Sequence, residues 1–384
     1  MKNMIKRHLA KEIENQLYKG KIAILYGARR VGKTFLSKQI LEKQERAGKK
    51  CSYINCELIN VKKNLETLNE QDLKKYLGEV DFVVLDEAQN IKNAGLVLKI
   101  LIDTYPEIQI LATGSSSFDL ANQVGEPLVG RKREFILYPL SMLEIIENSN
   151  FQTVSGNLNS ILQYGLYPSV YTKSFSDAKD EIQEIASSYL YKDILMFENI
   201  KNSSLLIDLL QLLALQVGNE VSYNELAIKL GINTRTVEKY IDLLEKCFIV
   251  FSLRALRRNL RNEVSRKSKK IYFYDLGIRN ALINNFNPPV VRSDAGALWE
   301  NFCIIERMKY NQSRQKSVNK YFWRMYSGQE VDYIEEYSGR FDGFEFKYSP
   351  KAKFKKPAIF LGNYENSSVK VIDSENWSEF LATD

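Results

Sequence analysis

Short apolar runs alternate with amphipathic stretches through the first third of the chain. KIAILYG (21–27), CSYINCEL (51–58), DFVVLDEA (81–88) and IQILATGS (108–115) read as strands. The stretches around 34–47, 66–77 and 94–104 between them read as helices, and residues 1 to about 20 as a basic amphipathic lead-in helix. This alternation predicts a parallel sheet with crossover helices. After YPLSMLEI (138–145) the pattern turns mostly helical, to about residue 250. Short strands return from about 290, with turn signals at Ser327-Gly328, Ser338-Gly339 and Gly362-Asn363. The expectation is an α/β chain of three units: a parallel-sheet unit over 1–145, a helical unit over 146–285 and a smaller α/β unit over 286–384.

Composition narrows the chemistry. Lys plus Arg number 54 against 47 Asp plus Glu, a formal charge of +7 that permits a polyanionic partner without demanding one. His8 is the only histidine, so Ser-His-Asp triads, Cys-His dyads, phosphorelays and multi-histidine metal sites are excluded. The cysteines, Cys51, Cys56, Cys247 and Cys303, have neither zinc nor thioredoxin spacing and read as reduced thiols. No apolar run approaches the ~20 residues a bilayer requires and the start lacks a signal-peptide core, so a cytoplasmic protein with no membrane partner is expected.

Gly27-Ala28-Arg29-Arg30-Val31-Gly32-Lys33-Thr34 matches G-x-x-x-x-G-K-S/T directly after the first strand and ahead of a helical run. Its glycines let successive N–H groups turn toward phosphate oxygens at the positive end of the following helix, a cradle taken to run through Phe35. Lys33 would reach the β and γ phosphates of ATP, and Thr34 would offer its hydroxyl to Mg²⁺. DFVVLDEAQ carries Asp86 and Glu87 to a strand's carboxyl end, where Asp86 suits the Mg²⁺ shell and Glu87 suits polarising an attacking water. On the next strand Thr113, or Ser115, is placed to hold that water or sense the γ-phosphate. In LVGRKREF, Arg131 or Arg133 is either an arginine finger toward a neighbouring subunit, implying a homo-oligomer, or part of a solvated basic turn.

GARRVGKT, VVLDEAQ, ATGSSS, LVGR and YPLSMLEI, in that order, resemble the motifs of AAA-type P-loop ATPases of bacteria and archaea that carry a poorly characterised C-terminal region. The resemblance implies Mg-ATP at the positions above.

In VSYNELAIKLGINTRTVEKYIDLLEK (221–246), Ser222 and Glu225 form a capping-box pattern, and Gly231 stops the first helix. A second helix from Asn233 or Thr234 turns Val237, Ile241, Leu243 and Leu244 inward and leaves Arg235, Thr236 and Lys239 mostly outward. Two short helices about a glycine turn are a helix-turn-helix signature. CFIVFSL and KIYFYDL would form a wing. The bridge between them, Arg254 to Lys270, has eight basic residues, among them Arg257, Arg258 and Arg261, and one acid. A recognition helix beside such a loop favours DNA, while a structural or protein-binding module and a merely solvated charge run stay open. Members of the resembled family have a similar winged-helix segment here.

Near the end, Glu345 and Lys347 lie two apart on a strand and so share a face. A hairpin turning at Ser338-Gly339 sets Asp332 directly opposite Glu345. Like charges so placed call for a divalent cation, a second Mg²⁺ or Mn²⁺ beside the ATP site, with Lys347 steadying developing charge. Glu300, Asp332 and Glu345-Phe346-Lys347 resemble the acid, Asp, Glu-x-Lys pattern of the restriction-endonuclease-like superfamily, which implies Glu300, Asp332 and Glu345 as metal ligands and a nuclease-like fold. Two functions follow. One is an ATP-driven DNA-processing enzyme that remodels or cuts structured DNA. The other is an ATP-controlled switch that binds a protein partner while its carboxylates stay inert.

Overall fold

Residues 22–26 hold no charged side chain, and in the computed structural model they form β1 (Ile22–Tyr26), buried along its whole length. The structure describes residues 5–114, 127–189, 203–257, 268–325 and 328–381. They fall into two compact units, Met1–Leu140 with Lys246–Phe248, and Ser141–Glu245 with Ile249–Asp384.

In the first unit β1, β2 (Cys51–Asn55), β3 (Phe82–Asp86), β4 (Gln109–Gly114) and β5 (Lys132–Ile136) form one sheet in the order β2-β3-β4-β1-β5, every pair parallel. The central strands β1, β3 and β4 are buried throughout, because crossover helices cover both faces of such a sheet. The helices Lys33–Arg46, Ile59–Leu65, Glu70–Leu77 and Ala94–Thr104 supply those crossovers, and His8–Glu14 leads in. The β1/β4 register pairs Tyr26 with Gly114, and Leu85 of β3 lies opposite Ala112. The carboxyl ends of all three strands therefore open at the same end of the sheet, where open α/β sheets bind ligands.

The second unit holds a sheet of order β11-β10-β9-β8-β6-β7, made from β6 (Val250–Ala255), β7 (Lys269–Phe273), β8 (Asn319–Arg324), β9 (Glu330–Tyr337), β10 (Arg340–Phe346) and β11 (Ser367–Ile372). The strands expected to form a wing, β6 and β7, do pair antiparallel, with Val250 opposite Phe273. Yet β6 also joins β8 in parallel at Arg254/Tyr321 and Ala255/Phe322, so one sheet runs across the expected boundary at residue 285. The Ala295–Ser313 helix lies across it: Asn301 exchanges hydrogen bonds with Phe273 on β7, Arg307 pairs with Glu335 on β9 at 3.0 Å, and the Trp299 indole donates to the Ile372 carbonyl on β11. The first of two other helices, Tyr223–Leu230, is capped by Ser222, whose hydroxyl accepts from the Glu225 N–H, and ends at Gly231 in the left-handed conformation. The Glu225 side chain pairs with Lys229. The second, Thr234–Lys246, buries Val237, Ile241, Leu243 and Leu244.

Candidate functional site

The loop from Gly27 to Gly32 leaves β1 and enters the Lys33–Arg46 helix with Gly32 as its left-handed cap. At Gly27 a Cβ atom would lie 2.4 Å from the Leu137 carbonyl oxygen, so only glycine lets the strand pass that close to the chain after β5. Arg30 also takes a positive φ of 64°. Arg7, ahead of the lead-in helix, ties the loop down by donating to the carbonyls of Val31 and Tyr138. Ala28, Val31 and Lys33 are buried, Arg29 and Thr34 partly so, and Phe35 is 45% exposed. The Lys33 ammonium lies over the loop's own carbonyls, 2.9 Å from Gly27 O and 3.0 Å from Ala28 O. A buried lysine on a loop folded about two glycines of positive φ is the kind of donor set a polyphosphate requires.

Asp86, at the end of β3, accepts three hydroxyls. Thr34 donates to Oδ2 at 2.8 Å, Tyr53 to Oδ2 at 2.5 Å and Thr113 to Oδ1 at 2.5 Å. Thr113 in turn accepts the Glu87 N–H at 3.0 Å. Glu87 takes a left-handed conformation (φ 54°), and Gln89 donates to its Oε2 at 2.5 Å. The structure thus brings together Thr34, Asp86, Glu87 and Thr113, all expected here. Thr113 links the two acids, donating to Asp86 and accepting from the Glu87 N–H. Sequence reasoning missed Tyr53, the third residue of β2. Burial and then its bond to Asp86 push its phenol well above the usual range, so it stays a donor.

Arg131 stands immediately before β5, at the amino end of the parallel sheet, and its guanidinium pairs with Asp103 at 2.6 Å. A strand of this length puts it roughly 17 Å from the phosphate loop, too far to serve its own chain's loop. Ser115 lies outside the described residues.

In the second unit Arg235 and Lys239 are exposed on the Thr234–Lys246 helix, and the Thr236 hydroxyl donates to Asn233 at 3.0 Å. Arg257 lines a cleft with Leu256, Phe322, Arg324 and Glu220, of about 420 Å³. Arg258 and Arg261 lie outside the described residues.

The β9/β10 hairpin pairs Tyr337 with Arg340 and Tyr333 with Phe344, the expected register, and the Phe346 N–H donates to Asp332 Oδ2 at 2.9 Å. Oxygens of Glu330, Asp332 and Glu345 all lie within 4.8 Å of one another. Lys347 donates to Glu345 Oε1 at 2.7 Å. Glu345 Oε2 is buried and has no hydrogen-bond partner among the described residues, so a hard cation beside it would complete its coordination. The residues present fit a divalent cation.

Glu300 is not a member of that cluster, contrary to the expected ligand set. Its carboxylate accepts from Lys270 at 3.0 Å and from the Tyr272 hydroxyl at 2.5 Å, and Lys270 reaches on to Asp332 at 3.8 Å. The third carboxylate is Glu330, whose spacing from Asp332 on one strand sets both on one face and was readable in the sequence. Burial depresses the Lys270 ammonium, but Glu300 and Asp332 outweigh it and hold its pKa above the usual value. Burial, reinforced by the Glu300 charge, raises Asp332 well above the usual carboxylate range; burial and then Asp332 raise Glu345 likewise.

Residues 19–146 match the family model described as an AAA domain, which with the sheet order and phosphate loop defines the first unit as a P-loop fold of the AAA class. Residues 155–288 and 295–375 match two models described as domains of unknown function, DUF8612 and DUF4143. An uncharacterized protein of Mycobacterium tuberculosis is 26% identical over 351 residues, 89% of this chain and 74% of that protein. An uncharacterized protein of Methanocaldococcus jannaschii is 25% identical over 345 residues, 84% of this chain and 74% of that protein. Among solved structures, the replication initiator DnaA bound to AMPPCP and single-stranded DNA aligns at 17% identity with a TM-score of 0.30, over 63% of this chain and 90% of that one. Among the described residues no helix is long and apolar enough to cross a membrane.

Proposed function

We propose that the chain is an ATP-hydrolysing DNA-processing protein, carrying in its second unit a cation-dependent acidic centre of nuclease type. The observation that carries the reading is the single carboxylate Asp86 fixed by Thr34, Tyr53 and Thr113 beside a buried Lys33. Residues 27–35 hold the phosphates of ATP, with Lys33 turning from its loop carbonyls to the β and γ phosphates. Thr34 and Asp86 hold Mg²⁺, which when bound offsets phosphate charge and orients the γ-phosphoryl group. Glu87, its backbone pinned by Thr113 and its carboxylate steered by Gln89, accepts a proton from the attacking water.

Arg235, Thr236, Lys239 and Arg257, with Arg258 and Arg261, contact DNA phosphates or bases, in line with the helix-turn-helix geometry and the basic run. Glu330, Asp332 and Glu345 take a Mg²⁺ or Mn²⁺ ion and Lys347 supports charge on a phosphodiester. Arg131 acts, if as a finger, on a neighbouring copy in a homo-oligomer, because it lies at the far end of its own sheet. A second reading, an ATP-controlled switch that binds a protein partner with a silent acidic centre, draws on Lys270, whose buried ammonium already serves Glu300 and Asp332.

The test is steady-state ATP turnover of the full chain with and without single-stranded, duplex, forked and four-way-junction DNA, across a salt series. DNA-stimulated turnover that falls steeply with salt and vanishes in Lys33→Ala is expected. Turnover retained in Lys33→Ala removes the P-loop assignment, and turnover indifferent to every DNA favours the switch.

A further inference from the structure

The cleft of about 420 Å³ in the second unit adjoins the acidic centre through two side chains. Phe322, on its wall, lies under the Lys270 ammonium, 5.5 Å from Nζ to the ring centre. Lys270 in turn stands 3.8 Å from Asp332. Arg324, also on the wall, has its Nε 3.7 Å from Glu330 Oε2 and a terminal nitrogen 3.5 Å from Glu220 Oε1. Glu330 is itself one of the three carboxylates of the centre. Leu256 and Arg257 also line the cleft.

Both contacts of Arg324 are long for a guanidinium on a carboxylate, which closes to about 2.8 Å when the pair is committed. Its side chain is 49% exposed and lines the cleft, and neither carboxylate holds it at full hydrogen-bonding distance. Glu330 has two claims on it, Arg324 from outside and the cation position beside Asp332 and the unpartnered Glu345 Oε2 from inside. A carboxylate that turns to a divalent cation has its charge more than neutralised, and its attraction for a neighbouring guanidinium falls away. Arg324 then keeps Glu220 alone and faces the cleft beside Arg257 with unused donors. A planar fork of N–H groups in that position matches a phosphate.

We propose that this cleft seats the phosphodiester backbone of a nucleic-acid strand, held by Arg257 and Arg324, and that Glu330 releases Arg324 to the strand only when it has turned to a divalent cation. The inference rests on the reading of the acidic centre as cation-dependent and adds to it the strand's seat and its order of binding: cation first, strand second. The Glu330–Arg324 pair keeps the cleft from closing on a strand before the centre is charged.

The experiment measures two bindings on the nucleotide-free full chain. Mn²⁺ binding is followed by electron paramagnetic resonance, and the affinity for a fluorescent 20-nucleotide single strand by anisotropy, in EDTA and in Ca²⁺ or Mn²⁺. For the wild type the divalent ion raises strand affinity about tenfold. Arg324→Ala still binds Mn²⁺ and loses that gain, and Arg324→Lys recovers part of it. Glu330→Gln binds the strand more tightly than the wild type in EDTA, because Arg324 is already released, and gains nothing from the ion. A full cation-dependent gain in Arg324→Ala, or unchanged affinity of Glu330→Gln in EDTA, overturns the proposal. A wild type that binds no Mn²⁺ instead overturns the cation-dependent reading of the centre itself.

Discussion

The hydroxyl of Tyr53 donates to Asp86 Oδ2 across 2.5 Å, joining the middle of β2 to the end of β3 where the phosphate loop opens. Two threonine hydroxyls hold the same carboxylate, so Tyr53→Phe leaves Asp86 in place but looser. A hydrogen bond to a charged group contributes on the order of 1.5–3 kcal/mol. Turnover of ATP by Tyr53→Phe is expected to fall roughly tenfold, with nucleotide affinity nearly unchanged. Steady-state kinetics beside a fluorescent-nucleotide titration read both, and unaltered turnover means the threonines suffice.

Gly27→Ala sets a methyl carbon 2.4 Å from the Leu137 carbonyl oxygen. The obstacle is backbone, not the tip of a flexible side chain, so the loop or the chain after β5 must move. A cost of about 2 kcal/mol lowers the melting temperature by several degrees and removes nucleotide binding. Calorimetry with and without ATP checks it; a variant that melts like the wild type shows that the loop yields at little cost.

Glu300→Gln separates two roles for that residue. As partner of the buried Lys270 it is structural, so its loss leaves an ammonium without its nearest counter-charge and costs about 3 kcal/mol. The variant should unfold at lower urea concentration yet bind one Mn²⁺ like the wild type. Loss of Mn²⁺ binding without loss of stability would instead make Glu300 a ligand.

Asp294 carries a pH-dependent share of stability. Burial raises its pKa, but hydrogen bonds and charge from Arg292 and Arg279 outweigh that and hold it well below the usual carboxylate range. A carboxyl group depressed in the fold contributes stability above its unfolded value, near 4, and loses it as pH falls toward the folded value. Asp294→Asn should therefore cost about 3 kcal/mol at neutral pH, because Arg279 and Arg292 are buried. The gap between variant and wild type should narrow below pH 4. Urea midpoints from pH 7 to pH 3 test the trend, and a gap independent of pH rules out the ion pair as its source.

The parallel sheet was legible because its inner strands are buried on both faces and so appear as unbroken apolar runs, as in residues 82–85. The edge strand β5 was not: its KREFI opens with three consecutive charged residues and reads as a basic turn. The phosphate loop and the Asp86-Glu87 pair announce themselves by local spacing. Tyr53 does not, since nothing near it in the chain names Asp86 as its partner across 33 positions. Lys270 sits at the end of a run of eight basic residues and passes for a solvated charge, and only the packing of Phe322 and Glu300 around it shows otherwise. The hairpin register followed from its turn, whereas the parallel union of β6 with β8 links segments more than sixty residues apart and has no local signature.

That union bears on how the molecule can be dissected. A truncation at residue 285 would pull β8 from β6, stripping the Leu256 N–H of its acceptor at Phe322 and leaving two ragged fragments with bare edges. Such edges recruit further strands, so each half expressed alone would tend to clump, and activities assigned from those halves would describe a broken sheet. Fragments intended for assay should keep residues 249 to 381 in one piece.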